Sequence, residues 1–264
     1  MPGKRHKAER RGAPDHGGRW LYGRHPVVAA LANPERRWRR LAVLAGQEDE
    51  ANALVAAACA ERRGDGEPVR ILDRRGFAAL VGEDAVHQGL ALEVEPLDEP
   101  DLDDMLRAAE LAARAVVVVL DQVNDPHNVG AILRAAAAFG AFGVIVAAHG
   151  APPASGALAK AASGALDLVP LIQAVNLART LERLKEAGFW CCGLDERAPH
   201  TLAGLELGPR VALVLGAEGD GLRRLVRESC DYLARLPTTP QMPSLNVSAA
   251  AAIALYTLQG KAGG

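Results

Sequence analysis

The chain has 264 residues, 49% hydrophobic, 23% charged and only 4% aromatic, with a formal net charge of −2. That is enough chain for one large domain or two smaller ones around a core of Ala, Val and Leu, and it excludes a wholly disordered polymer, a collagen-like repeat and a disulfide scaffold. The longest apolar runs, Ala115 to Leu120 and Ala249 to Tyr256, fall far short of the ~18 residues a membrane-spanning helix needs.

Charge is unevenly spread. The first 40 residues carry 11 Lys/Arg against 3 Asp/Glu, and the remaining 224 carry 19 against 29. A basic arm on an acidic body points to a polyanionic partner, nucleic acid first, although a solvated tail that aids solubility would read the same. Residues 1–19 have almost no large apolar side chains and read as a disordered basic tail. They lack the apolar stretch of a secretory signal. The four cysteines, Cys59, Cys191, Cys192 and Cys230, form no CxxC pair and no Cys/His cluster with zinc spacing, so no metal is expected. Cys191 and Cys192 sit in an apolar run and read as buried thiols, which suits a reducing cytoplasm.

From Trp20 the pattern alternates between helix and strand signals. Pro26 opens a helix carrying Val27, Val28, Ala30 and Leu31. Arg39 to Ala45 reads as a strand, Ala51 to Arg62 as a helix closed by Gly64, Val69 to Leu72 as a strand, Arg75 to Leu80 as a short helix and Gly89 to Val94 as a strand. Residues 20–95 thus make a small α/β unit. Residues 96–113 begin with proline and acidic residues and turn helical, as a linker and helix at a domain boundary would.

The remainder, 114–264, has a strand–helix rhythm. Strands are expected over Val116 to Leu120, Gly143 to Ala147, Leu168 to Ile172, Phe189 to Leu194, Val211 to Leu215 and Tyr232 to Leu236. Helices are expected over Val129 to Phe139, Leu158 to Ser163, Asn176 (as cap) to Ala187, Gly221 to Ser229 and Val247 to Gln259. Such alternation implies an α/β fold, a mostly parallel sheet with helices on both faces.

In such sheets ligands sit beyond the carboxyl ends of the strands, and three segments there are unusual. Asp121 to Arg134 crowds Asp121, Asn124, Asp125, His127 and Asn128 into one strand-to-helix turn. Asn128 and Arg134 lie six apart and so not strictly on one helix face, yet both project near the helix start on this reading, though an N-cap and a solvated arginine would look alike. Leu215-Gly-Ala-Glu-Gly-Asp-Gly221 has GxxGxG spacing, which is neither the dinucleotide fingerprint nor a Walker loop. That argues against a nicotinamide oxidoreductase and leaves a tight turn with Glu218 exposed as the plain alternative. Leu236 to Ser248 holds three prolines, and Ser244 or Asn246 then caps the last helix; a rigid loop plus cap fits, as does a loop whose free backbone groups grip a base.

In order and spacing these three segments resemble the motifs of the SpoU (TrmH) RNA ribose 2′-O-methyltransferases of the SPOUT superfamily. The carriers are Asn128-x-Gly-x-x-x-Arg134, Leu215-Gly-Ala-Glu-Gly219 and Ser244-Leu-Asn-Val-Ser248. Tyr22-Gly-Arg-His-Pro26 and His87-Gln-Gly89 resemble the family's small N-terminal substrate-binding domain. One stretch departs: Thr238-Thr-Pro-Gln-Met-Pro243 stands where relatives usually carry a glycine and small polar residues.

The resemblance implies a C-terminal domain with a deep trefoil knot, S-adenosylmethionine as cofactor, a homodimer, and RNA as substrate, since only RNA has a 2′-hydroxyl. The two-domain layout implies a guanosine of 23S rRNA, with tRNA, or a non-catalytic RNA-binding protein of the same fold, as alternatives. By resemblance Gly216, Gly219, Leu236 and Leu245 contact the cofactor. Asn128 orients Arg134 or the ribose, Glu218 anchors an arginine or a neighbouring loop, and Ser244 and Asn246 hydrogen-bond near the reaction centre. Arg134 is the residue that activates the hydroxyl in this family, but a guanidinium with a pKa above ~12 suits a phosphate grip equally.

Overall fold

Two β-sheets organise the chain. The computed structural model describes residues 20–61, 69–83, 85–98, 100–149 and 156–260; the expected tail over 1–19 and the helix-closing Gly64 lie outside them. The first sheet contains β1 (Trp20–Tyr22), β2 (Trp38–Leu44), β3 (Arg70–Leu72) and β4 (Leu90–Val94), ordered β1-β4-β2-β3. β4 runs antiparallel to β1 and β2, and β3 parallel to β2. Side chains alternate across β4. Leu90, Leu92 and Val94 join Val27, Leu31, Leu41 and Val43 beneath α1 (Arg24–Ala32) and α2 (Glu48–Glu61). Ala91 points the other way, onto Phe77 of α3 (Arg74–Val81).

α4 (Leu102–Glu110), capped by Asp101, leads into the second sheet. Its strands are β5 (Ala115–Asp121), β6 (Gly143–Ala147), β7 (Leu171–Ala174), β8 (Trp190–Leu194), β9 (His200–Thr201), β10 (Arg210–Gly216) and β11 (Tyr232–Arg235). They pair in parallel in the order β7-β6-β5-β10-β8-β11-β9. Val118, Leu120, Leu213 and Leu215 face α5 (Pro126–Ala138), α6 (Gly156–Ala162) and α9 (Val247–Gly260). Val117, Val119, Ala212 and Val214 face α4, α7 (Leu177–Glu186) and α8 (Arg224–Glu228). A central strand buried on both faces gains from apolar residues at every position, which is why β5 reads as an unbroken valine run.

Several boundaries differ from expectation. The strand expected over 168–172 starts at Leu171: a 3-10 turn at Ala165–Asp167 precedes it and Leu168 is exposed. Pro170, which has no N–H to give a ladder, serves only as an acceptor for Val144 N. The helix expected from Gly221 begins at Arg224, because Gly221 has φ +67 and Arg223 is the extended cap residue. The short strands β1 and β9 give no clear sequence signal of their own. No helix among the described residues is long and apolar enough to cross a membrane.

Cys191 and Cys192 are buried free thiols, and Cys230 is partly buried. Burial, and then the negative charge of Asp231, push the Cys191 thiol up to about 12; burial, and then Cys192, do the same for Cys230. A thiol pKa raised by folding stabilises the fold while the unfolded thiol is still protonated, and that contribution is lost as pH rises from about 9 toward about 12. The urea midpoint is therefore expected to fall across that window, less steeply in a Cys191→Ala variant, and the native thiols 191 and 230 should resist iodoacetamide at pH 8 until the chain is unfolded. Mass spectrometry of the alkylated protein checks this, and rapid native labelling would contradict it.

Candidate functional site

The parallel register of β5 and β10 places Asp121 beside Gly216, so the turns that follow both strands leave the same edge of the sheet. After β5 the chain turns through Gln122, at φ +59, and Asp125 caps α5 by accepting the His127 N–H at 3.0 Å. Asp125, not Asn128, is thus the cap; Pro126 in the first helical turn needs no N–H partner. After β10 the chain folds tightly back, with the Gly221 N–H donating to the Ala217 carbonyl at 3.0 Å and Gly219 at φ +88. Gly216 is sterically obligatory: a Cβ there would lie 2.1 Å from the Gly221 carbonyl carbon.

The third segment follows β11. The divergent stretch 238–243 closes into its own small turn, with Met242 N–H donating to Thr239 O at 3.1 Å and Thr238 Oγ1 to Pro243 O at 2.9 Å. Asn246 then caps α9, its Oδ1 accepting the Ser248 N–H at 2.9 Å. Of the two candidate caps, Asn246 fills the role.

The three turns meet at one oxygen. Glu218 Oε1 accepts Asn246 Nδ2 at 2.5 Å, Asn128 Nδ2 at 3.3 Å and Val247 N at 3.4 Å. Asn246 Nδ2 also donates to Asn128 Oδ1 at 3.0 Å. Beside this cluster is a cleft of about 560 Å³, lined among others by Gly216, Glu218, Gly219, Leu236, Ser244 and Leu245. Arg134 stands apart. It lies nine residues into α5, roughly 9 Å along the axis from Asn128 and about a third of a turn away, so it does not project near the helix start. It is exposed, and no hydrogen bond or ion pair holds it among the described residues.

Two features carry no motif. The cleft's far wall is the turn after β8, Leu194 to Arg197, where Asp195 accepts the Arg197 N–H at 2.8 Å and pairs with Arg227. Its one sequence signal is its place at the carboxyl end of a strand next to β10. The other is Asp121, fully buried, which accepts the Arg223 backbone N–H at 2.8 Å and its Nε at 2.7 Å; this ties the end of β5 to the residue before α8. In the first sheet, segments 22–26 and 87–89 also meet: the Arg24 N–H donates to Gln88 Oε1 and the Gly23 N–H to Leu90 O, both at 3.0 Å. No group of three or more His, Cys, Asp or Glu among the described residues could hold a metal ion.

The comparisons with known proteins bear on both sheets. Residues 115–256 match the SpoU rRNA Methylase family, and residues 20–100 match the model for RNA 2′-O ribose methyltransferase substrate binding. The chain is 39% identical over 239 residues to the 23S rRNA (guanosine-2′-O-)-methyltransferase RlmB of Vibrio cholerae, covering 89% of this chain and 94% of that protein. Its counterpart in Escherichia coli strain K12 is 38% identical over 239 residues, covering 89% and 96%. In structure the chain resembles the SpoU methyltransferase AviRb of Streptomyces viridochromogenes in complex with AdoMet (TM-score 0.73, 22% identity, 92% and 89% covered). It also resembles an AdoMet-bound rRNA methyltransferase of Sinorhizobium meliloti (TM-score 0.73, 23% identity, 93% and 88% covered). At these identities the structural likeness is one of fold.

Gly216→Ala is expected to force the 217–221 turn outward and lower stability by about 2 kcal/mol, seen as a reduced urea midpoint. An unchanged midpoint would mean that the turn relaxes freely.

Proposed function

The chain belongs to the SpoU rRNA Methylase family, and from that premise we propose that it transfers a methyl group from S-adenosylmethionine to the ribose 2′-hydroxyl of a guanosine in 23S rRNA. The observation that carries this reading is the meeting of Asn128, Glu218 and Asn246 at the rim of the 560 Å³ cleft. Relatives named for that reaction match both sheets of the chain, which favours rRNA over tRNA.

The cleft suits the cofactor. Its volume of about 560 Å³ falls in the ~300–1,000 Å³ range of small-molecule sites. Leu236 and Leu245 offer apolar surface to the adenine, and the side-chain-free Gly216 and Gly219 let backbone N–H and C=O groups approach it. When bound, the cofactor supplies a methyl group activated by a positively charged sulfur. The chain's own residues supply alignment, which can take roughly 7–11 kcal/mol off the barrier to a transfer between two bound molecules. Asn128, Glu218 and Asn246 hold one another and hold the ribose, with Ser244 beside them. Arg134, unpaired and exposed on α5, grips the phosphate flanking the target nucleotide and so aims its 2′-oxygen. A guanidinium seldom gives up a proton, and its planar fork matches a phosphate.

Residues 20–95 then serve as the RNA-binding unit and 114–264 as the methyltransferase unit, the latter with the family's knotted C-terminus. The tail over 1–19 adds phosphate contacts. A second copy covers α9, whose outer face leaves Ile253 44% and Tyr256 67% exposed. A cytoplasmic location follows from the substrate.

Incubation with tritiated S-adenosylmethionine and 23S rRNA transcripts, followed by mapping of ribose methylation, should show one modified guanosine; no incorporation would overturn the reading. Arg134→Ala should lower kcat by about 100-fold or more while the calorimetric Kd for the cofactor stays within about twofold, and retained turnover would remove Arg134 from the mechanism. Deleting residues 1–19 should weaken RNA binding and flatten its dependence on salt concentration; an unchanged slope would place the tail off the RNA.

A further inference from the structure

A buried ion pair lies on the seam between the two sheets. Arg36 Nε is 2.7 Å from Asp167 Oδ1, and the two side chains are 7% and 2% exposed. Asn33 Nδ2 donates to the same oxygen at 3.2 Å, and Arg36 Nη1 donates to the Glu95 carbonyl at 2.9 Å. One carboxylate from the 3-10 turn of the second unit thus grips two side chains that follow α1 of the first. A buried pair of this kind adds little net stability over an apolar contact of equal size. Docked in another register, however, the units would bury either charge without its partner. The pair therefore discriminates strongly against any other docking of the two units.

The backbone at this seam is equally selective. Gly164 has φ +91, and a Cβ on it would lie 2.8 Å from Ala29 Cβ and 3.0 Å from the His25 carbonyl oxygen. Lys160 Nζ stands 5.8 Å from the centroid of the Tyr22 ring. On its other side α6 presses against α5 at Gly130, where a Cβ would lie 2.4 Å from Ala161 Cβ. Close contacts therefore run from α1 through Gly164 and α6 to Gly130, two residues from Asn128 on α5. Arg24 and His25, exposed at the start of α1, are held at a fixed separation from the Asn128–Glu218–Asn246 cluster.

We propose that Arg36 and Asp167 are positioning residues for the RNA substrate: by locking the substrate-binding unit onto the helix layer that carries Asn128 and Arg134, they make the two units a single rigid gauge across which one RNA is gripped at one end and methylated at the other. This rests on the reading of the chain as an RNA methyltransferase. Neither residue touches the reacting atoms, so their effect falls on how the RNA is presented and not on the cofactor.

The test uses the full chain carrying Asp167→Ala, with Asp167→Asn as the milder second variant, each against the parent. Spin labels at Glu83→Cys and Glu206→Cys, in a Cys59→Ala background, report the distance between the units. A narrow distance distribution in the parent should broaden in the variants. The filter-binding Kd and the KM for a 23S rRNA transcript should rise about tenfold, as expected when two linked grips lose their fixed geometry, while kcat changes by less than about threefold. The calorimetric Kd for S-adenosylmethionine should stay within about twofold, and the reciprocal exchange Arg36→Asp with Asp167→Arg should recover part of the lost RNA affinity. A distribution that stays narrow, a broadened one with RNA affinity unchanged, or an equal loss of cofactor binding would each overturn the proposal, the last by giving the pair a merely structural role. RNA affinity and label distance are read without methyl transfer, so a parent chain that binds RNA but methylates none would sink the activity and leave the lock to be judged on its own.

Discussion

Glu218 Oε1 gathers donors from two chain segments that lie 90 and 28 residues away from it, on Asn128 and Asn246. A carboxylate accepts and never donates when ionised, so it dictates which way both amides face. Asn246 must present Nδ2, and its Oδ1 is then left to cap the first turn of α9 through the Ser248 N–H. Asn128 likewise gives Nδ2 to Glu218 and offers Oδ1 back to Asn246. Every partner in the ring satisfies another. All three residues are at least partly open to solvent, where such bonds are individually worth little, so the arrangement depends on each turn being held in place from beneath.

That support is built from the backbone and from one buried charge. The pairing of Gly216 with Asp121 brings the first two turns level. The Asp121 carboxylate, fully buried, reaches under the sheet edge to the backbone and guanidinium of Arg223, so the turn after β10 is anchored to the end of β5 as well as to its own strand. Gly216 lets that turn fold flat over its own origin, and Gly130 lets α6 lie against α5. Close packing admits few alternatives at such contacts, and the exposed polar cluster inherits its geometry from them.

The residues that were legible in the sequence are those whose local chemistry announces a role. The valine run of β5, the crowd of polar residues after it and the glycines around Glu218 each have a physical reason to appear where the chain must turn sharply at a strand end, although Asn128 looks like the cap that Asp125 supplies. A mostly parallel sheet with six of its seven strands followed from the strand–helix rhythm, and only the two-residue β9 did not. What could not be read is what depends on distant partners. Nothing in the neighbourhood of Asp121 foretells Arg223, 102 residues on, and nothing marks Asp195 as a wall of the cleft. Leu168 looks like a strand residue until the 3-10 turn before it leaves its side chain in solvent. Arg134 reads as lying near the start of α5 only while the helix is taken to begin at Val129; it begins at Pro126, which sets Arg134 nine residues in.

The division of labour between rigid and soft parts fits the chemistry. Moving a methyl group between two pre-formed molecules asks for alignment more than for a strong acid or base. Neutral amides and a solvent-exposed carboxylate are adequate partners for a ribose if their positions are fixed. On the proposed reading the cation that holds the RNA is Arg134, which is exposed and carries no ion pair among the described residues. The apolar layers on both faces of the sheet, the glycine contacts between helices and the buried carboxylates of Asp121 and Asp167 set the distances between the amides and the guanidinium that the proposed function assigns to the substrate.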